Sequence, residues 1–200
     1  MTEIEDANSL FLATEPLPVP GEGFVLRHVA IGRGTQNYTC DTTNATAIPV
    51  ANGAVATLYN ASCLASTQPA VLSTLANFAL QYNLPEAIVL PSKAKPNPAN
   101  LLISGSHFFT PEIVPFFNLD TDAAQIGTIS CKKDAAVPAP ADASKGQGGQ
   151  GQGAVPWLKL SAKDSTGNLQ EVYRLNTAGG NPPKTCTGMP AAFEVEYAAE

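Results

Sequence analysis

Two carboxylates two residues apart, Asp120-Thr-Asp122, are the first residues in this sequence that could do chemistry. On a strand that spacing puts both on one face. A glycosidase needs such a pair roughly 5–10 Å apart across a cleft. The same residues could bind calcium or simply make a turn, where Asp is common. Ser104-Gly-Ser106-His107 sets hydroxyl nucleophiles beside a base. It has no G-x-S-x-G elbow, and a serine next to its own histidine on a strand points away from it, so no Ser-His mechanism is expected.

Binding residues are easier to nominate than catalytic ones, of which none is expected. His107 shares a strand face with Leu101, Ile103, Gly105 and Phe109, and His28 shares one with Phe24, Leu26 and Ala30. A histidine on an apolar face is either a hydrogen-bonded core residue or a ligand contact. A metal site needs several clustered ligands, and two histidines are too few, so neither metal nor cofactor is expected. Trp157, the single tryptophan, alternates with Leu158 and Leu160 and falls with Lys159 and Ser161. That puts an indole on a polar face, either as a sugar-stacking platform or as a satellite core residue under the nearby Gly/Gln loop. Arg174 and Asn176 also share a face. They could hydrogen-bond a ligand or pin the Gly179-Gly180 turn.

The elements that position these residues are short strands. Residues 1–22 are acidic, then Pro-rich, and read as an extended lead-in. A single β-rich domain spans 23–200. Strands are predicted at 23–41, 54–58, 101–109, 126–132, 157–162, 169–177 and 192–198, with 91–98 a loop and 111–122 irregular. Leu72, Leu75, Ala76, Ala79 and Leu80 recur at helical spacing, so 69–82 is the one short helix, closed by Pro85. Residues 138–153, Pro/Ala-rich and then Gly/Gln-rich, read as a flexible surface loop. Many short strands with Gly and Pro between them predict a mostly-β fold, a sandwich or barrel-like domain.

Composition excludes whole classes of partner. The chain has 200 residues, a net charge of −6, only 14% charged residues, 16 glycines and 17 prolines. The longest basic run is Lys132-Lys133. Binding to phosphate backbones or anionic membranes needs clustered cations, so neither nucleic acid nor membrane is an expected partner. No apolar run is long enough to span a bilayer. Met1-Thr-Glu-Ile-Glu-Asp is acidic and unlike a signal peptide, which is expected of a mature chain whose leader has been replaced by an initiator Met.

Secretion is argued from two other features. Cys40, Cys63, Cys131 and Cys186 are even in number, widely spaced and free of close pairs, a pattern of disulfides rather than of metal or redox sites. Four cysteines allow three pairings. Three N-glycosylation sequons cluster at Asn37, Asn44 and Asn60. The expected location is extracellular.

Three motifs then carry a family likeness: Gly34-Thr-Gln36-Asn-Tyr38-Thr-Cys40, Pro156-Trp157-Leu158-Lys-Leu160, and Tyr173-Arg174-Leu-Asn176-Thr177-Ala-Gly179-Gly180 running on to Cys186. Together they resemble a functionally uncharacterised family of secreted proteins from filamentous fungi, with bacterial relatives, whose fungal members are often labelled "malate dehydrogenase". The likeness covers about residues 22–198 and brings no established catalytic residues. It implies that Cys40 pairs with Cys186, leaving Cys63 to Cys131. The label itself fails on physical grounds. Gly32-Arg-Gly34-Thr-Gln-Asn37 lacks the third glycine of a dinucleotide fingerprint and runs into a strand rather than a helix.

The expected function is that of a secreted, non-catalytic protein that binds cell-wall or host glycan. The alternatives are a carboxylate-dependent glycan hydrolase and a structural or host-interaction protein with no small ligand.

Overall fold

The computed structural model describes residues 16–81, 101–146 and 152–200. In chain order its elements are β1 (Ala30–Thr39), β2 (Val50–Asn60), α1 (Ser62–Thr67), α2 (Pro69–Leu80), β3 (Ile103–Phe109), β4 (Pro115–Thr121), β5 (Ala124–Val137), β6 (Trp157–Ser165), β7 (Glu171–Arg174), β8 (Ala178–Gly179) and β9 (Ala192–Ala199). The strands form one antiparallel sheet in the order β7-β6-β5-β4-β3-β2-β1-β9-β8, curled into a half-barrel. The mostly-β expectation holds, with two helices where one was predicted.

The curl brings the two ends of the sheet together. Leu175, just after β7, and Glu200, just after β9, exchange two backbone hydrogen bonds of 2.8 and 2.9 Å. Because β7 leads directly into β8, this pair bridges what would otherwise be open edges, which are costly to leave unpaired.

Alternation along each strand separates two faces. On the concave face, Gln36 pairs with Ala54 and Val195, Gly34 with Ala56 and Tyr197, and Ala56 with His107. His107 in turn pairs with Phe117, and Leu158 with Arg174. On the convex face of β1 and β9 lies α2. Its Leu72 and Leu75 pack with Val29, Ile31 and Ala61, and its Ala76 and Leu80 pack with Ala178 and Ala198. Helical spacing produces this stripe, Pro69 starts the helix without losing a needed donor, and burying each leucine contributes roughly 2 kcal/mol.

The lead-in also has a fixed place. Leu17 is buried with Val137, Trp157 and Leu175. Lys159 donates to the Val19 carbonyl and Tyr173 to that of Pro18, both at 2.7 Å. Residues 17–19 thus strap the convex face of β6 and β7. By contrast, Phe24, Val25 and Leu26 are exposed and belong to no strand, so the predicted strand at 23–41 begins only at Ala30. β4 stands where an irregular segment was expected. The ends of the predicted loop at 138–153 are tied down. Gly179 donates to the Ser144 carbonyl, and Asn181 donates to that of Gly153. Residues 147–151 of that loop, most of residues 1–22 and the predicted loop at 91–98 lie outside the described residues.

The disulfide Cys40–Cys186 forms, tying the end of β1 to the segment before β9 across 146 positions. The second pairing does not. Cys63 is an exposed free thiol on α1, and Cys131 is buried in β5 among Ile129, Leu160 and Leu169. One thiol faces out from a surface helix while the other packs inside the core of the sheet, and no bond joins them. The glycines of the rejected dinucleotide motif, Gly32 and Gly34, sit mid-strand in β1 between β2 and β9.

Candidate functional site

The concave face carries a polar cluster among apolar walls. Its members come from four strands: Gln36 and Tyr38 from β1, His107 from β3, Arg174 from β7 and Tyr197 from β9. Direct strand pairing fixes Gln36, His107 and Tyr197 on one face. The closure at Leu175 and Glu200 brings Arg174 round to meet them.

Each member has a definite environment. The Tyr38 hydroxyl donates to the Gly180 carbonyl at 2.7 Å. Burial pushes the Tyr38 phenol up to about 12 and raises that of Tyr197 as well, although Arg174 opposes both shifts. Both phenols are therefore neutral at pH 7. His107 stacks on Phe117 with centroids 4.2 Å apart and meets Phe109 edge-on. Its Nδ1 lies 3.0 Å from the Phe116 carbonyl. A carbonyl can only accept, so Nδ1 carries the proton and Nε2 keeps its lone pair. Burial lowers the His107 pKa to about 4, so this ring is neutral too.

Arg174 donates from Nε at 3.2 Å and from Nη2 at 2.8 Å, both to the Pro156 carbonyl. Among the described residues no carboxylate comes within ion-pair distance of it. Desolvation lowers its pKa, while the two tyrosines favour the cation. Gln36 is 8% exposed, and its side chain faces the Tyr197 hydroxyl closely enough to ease that phenol. No partner lies within hydrogen-bonding distance of its Nε2, however. The cluster therefore holds one positive charge, no negative charge and an unused buried donor.

The glycines beside it are packing requirements. Gly180 has φ of 93°, and a Cβ there would come within 2.9 Å of both Tyr197 and Val155. Pro156, whose carbonyl takes Arg174, also lines an open recess of about 500 Å3, together with Ala136, Lys145, Gln152 and Asn181. Asn181 donates its amide to the Ala154 carbonyl, which leaves its Oδ1 as an acceptor.

Of the four binding candidates nominated from sequence, the structure brings His107 and Arg174 together. Trp157 faces away from them, as its alternation predicts, but the lead-in buries it to 1% exposure. Its Nε1 has no partner. Asn176 lies beyond the end of β7, with φ of 46°, and donates to the Glu200 carboxylate at 2.7 Å. Asp120 sits on β4, and its Oδ1 accepts the Gly127 amide at 2.7 Å, while Asp122 lies in the β4–β5 turn. Asp120 therefore braces the β4–β5 turn, and Asp122 is a residue of that turn.

Sequence reasoning missed Gln36, Tyr38 and Tyr197. The available signal was a glutamine in phase with Tyr38 on an otherwise apolar strand face. A second unanticipated cluster joins distant residues. His28 Nε2 lies 2.9 Å from Ser104 Oγ, and its Nδ1 lies 3.3 Å from Ser62 Oγ. Ser62 Oγ also takes the Val29 amide, and Ser104 is buried. This network anchors the chain entering β1 to α1 and β3.

Of the sequons, Asn44 and Asn60 are exposed, while Asn37 is half-buried in the middle of the sheet. Among the described residues no helix is long and apolar enough to cross a membrane. No curated protein and no solved structure matches the chain. The pattern of one family, described as "Protein of unknown function (DUF3455)", matches residues 20–200, and the chain belongs to that family.

Proposed function

We propose that this is a secreted, non-catalytic protein that binds a polar small molecule or glycan end at the rim of its half-barrel. One observation carries the reading: the half-buried Arg174 guanidinium, which has no carboxylate among the described residues, bonds the carbonyl of Pro156 on the wall of an open recess, and the buried Gln36 amide in the same cluster lacks an acceptor. Uncompensated buried polar groups are costly, and in a concave site they mark the place where a ligand completes the bonding. Secretion is supported by the Cys40–Cys186 disulfide and by the exposed Asn44 and Asn60 sequons. The burial of Trp157 at 1% exposure favours Arg174 over that residue as the ligand contact in this reading.

The test is depletion of the purified protein by insoluble chitin, β-glucan, cellulose and xylan, with soluble oligosaccharides added in a parallel thermal-shift series. Soluble products are monitored in the same tubes. Depletion or a shift without products supports the reading. Product formation would replace it with a hydrolase. Neither depletion nor shift across the panel would sink it.

A further inference from the structure

The charge count at the cluster goes further and names a chemical class. The inference rests on the binding function proposed above. At pH 7 Arg174 is the only charged member, since Tyr38, Tyr197 and His107 are all neutral. Among the described residues two cations are more deeply buried than half-buried Arg174, and each has a glutamate: Lys159 has Glu171 at 2.9 Å and Arg33 has Glu196 at 2.7 Å. Arg174 has a carbonyl instead, and both of its hydrogen bonds go to that one oxygen. Among the described residues the two buried cations thus have carboxylates, whereas half-buried Arg174 has none. Gln36 Nε2, a donor with no acceptor within hydrogen-bonding distance, sits more than nine-tenths buried in the same cluster. Donors from an arginine and an amide suit the two oxygens of a carboxylate.

The recess describes the rest of the ligand. Gln152 and Asn181 offer amide groups, Lys145 a second cation, and Ala136 and Pro156 an apolar wall. Hydroxyl groups against amides and a C–H face against alanine and proline fit a sugar ring. We propose that the missing counter-ion is the ligand itself, a hydroxylated carboxylate of the uronate class. Its carboxylate pairs with Arg174 and Gln36 Nε2, and its ring lies in the recess lined by Pro156 and Asn181.

The experiment is calorimetric titration with glucuronate and galacturonate, run beside neutral glucose and galactose. The wild type, Arg174→Gln, Arg174→Lys and Gln36→Glu are compared. The acids are expected to bind at least about tenfold tighter than the neutral sugars, and Arg174→Gln to remove that preference. Gln36→Glu supplies an internal carboxylate. It is expected to raise the melting temperature and to abolish acid binding, an outcome that a purely structural role for Gln36 does not produce. If Arg174→Gln fails to fold, Gln36→Glu decides. Equal affinity for acids and neutral sugars would overturn the inference while leaving the binding function standing. Unchanged acid binding in Gln36→Glu or in a folded Arg174→Gln would overturn it as well. If no monosaccharide binds but a neutral polysaccharide depletes the protein, the inference falls alone. If nothing binds, both fall.

Discussion

His107 lies almost parallel to Phe117, with ring centroids 4.2 Å apart and planes at 15°. The stack holds a neutral imidazole in an apolar wall near a guanidinium, where an imidazolium would be both desolvated and repelled.

Stability should therefore depend on pH through this residue. The His107 pKa is lowered from 6.5 to about 4 in the folded chain. Between those values the unfolded chain binds a proton that the folded chain refuses, so stability is full above pH 6.5 and falls towards pH 4. The loss is about 3 kcal/mol. His28, also lowered by burial, acts in the same direction. Urea denaturation at pH 7 and pH 4.5 measures the difference, and His107→Phe should remove most of it. An unchanged pH dependence in that variant would show that His107 does not titrate as described.

The free thiols should differ sharply in reactivity. Cys63 is exposed, whereas burial pushes the Cys131 thiol up to about 12, and only the thiolate reacts. Titration with a disulfide reagent at pH 8 should find one thiol in the native protein, two after unfolding and four after unfolding with reduction. Fewer than two thiols in the unfolded, unreduced chain would mean that Cys63 or Cys131 is oxidised, and the Cys63–Cys131 pairing would have to be reconsidered.

These thiols also illustrate how far the sequence is legible. Periodicity finds α2, and the alternation of Phe193, Val195 and Tyr197 with glutamates finds β9, because each element has one wet face and one dry face. α1 escapes because none of its residues is buried, so it carries no stripe. β4 escapes because all seven of its residues are half-buried and Asp120 imitates a turn. Residues 24–26 are apolar without a neighbouring strand, which no local pattern reveals. At the site, Arg174 and His107 can be nominated by type, but their meeting depends on Leu175 pairing with Glu200. Contacts made by closing a sheet have no local signature, and the meeting of His28 with Ser104 across 76 positions is equally silent.

The disulfide should carry a large share of stability. Its loop of 146 residues restricts the unfolded chain far more than a short loop would. Chain-entropy arguments give about 5 kcal/mol for such a span, and native bridges commonly deliver roughly 2–5. Cys40→Ala with Cys186→Ala should therefore lower the free energy of unfolding within that range. A loss below about 1 kcal/mol would show that the backbone bonds Cys40 to Ala191 and Cys186 to Ala47 hold the junction without the bridge.

Trp157 should prove structural. It packs at 1% exposure under Leu17, beside Val137 and Leu175. Trp157→Ala opens a cavity and should cost about 3–5 kcal/mol. Trp157→Phe should cost much less, since it keeps most of the packing and removes an indole N–H that has no partner. Ligand binding should survive Trp157→Phe unchanged. A folded Trp157→Phe that no longer binds would return the site to the convex face.

The two glycines of β1 should respond very differently to alanine, for a reason unconnected with nucleotide binding. In a dinucleotide fingerprint the first would make the tight turn and the second would let the backbone approach the pyrophosphate. Here a Cβ on Gly32 would meet only a flexible Leu58 methyl at 3.3 Å, while one on Gly34 would fall 1.8 Å from the Val55 carbonyl oxygen. A methyl can give way, but a paired strand backbone cannot move that far without breaking the ladder. Gly32→Ala should shift stability by less than about 1 kcal/mol. Gly34→Ala should cost more than about 3 kcal/mol, beyond ordinary overpacking, or prevent folding. Because Gly34 pairs with both Ala56 and Tyr197, its loss should also disturb the concave face. Thermal unfolding of the two variants checks the contrast, and a tolerated Gly34→Ala would mean that β1 and β2 lie further apart at this pair than described.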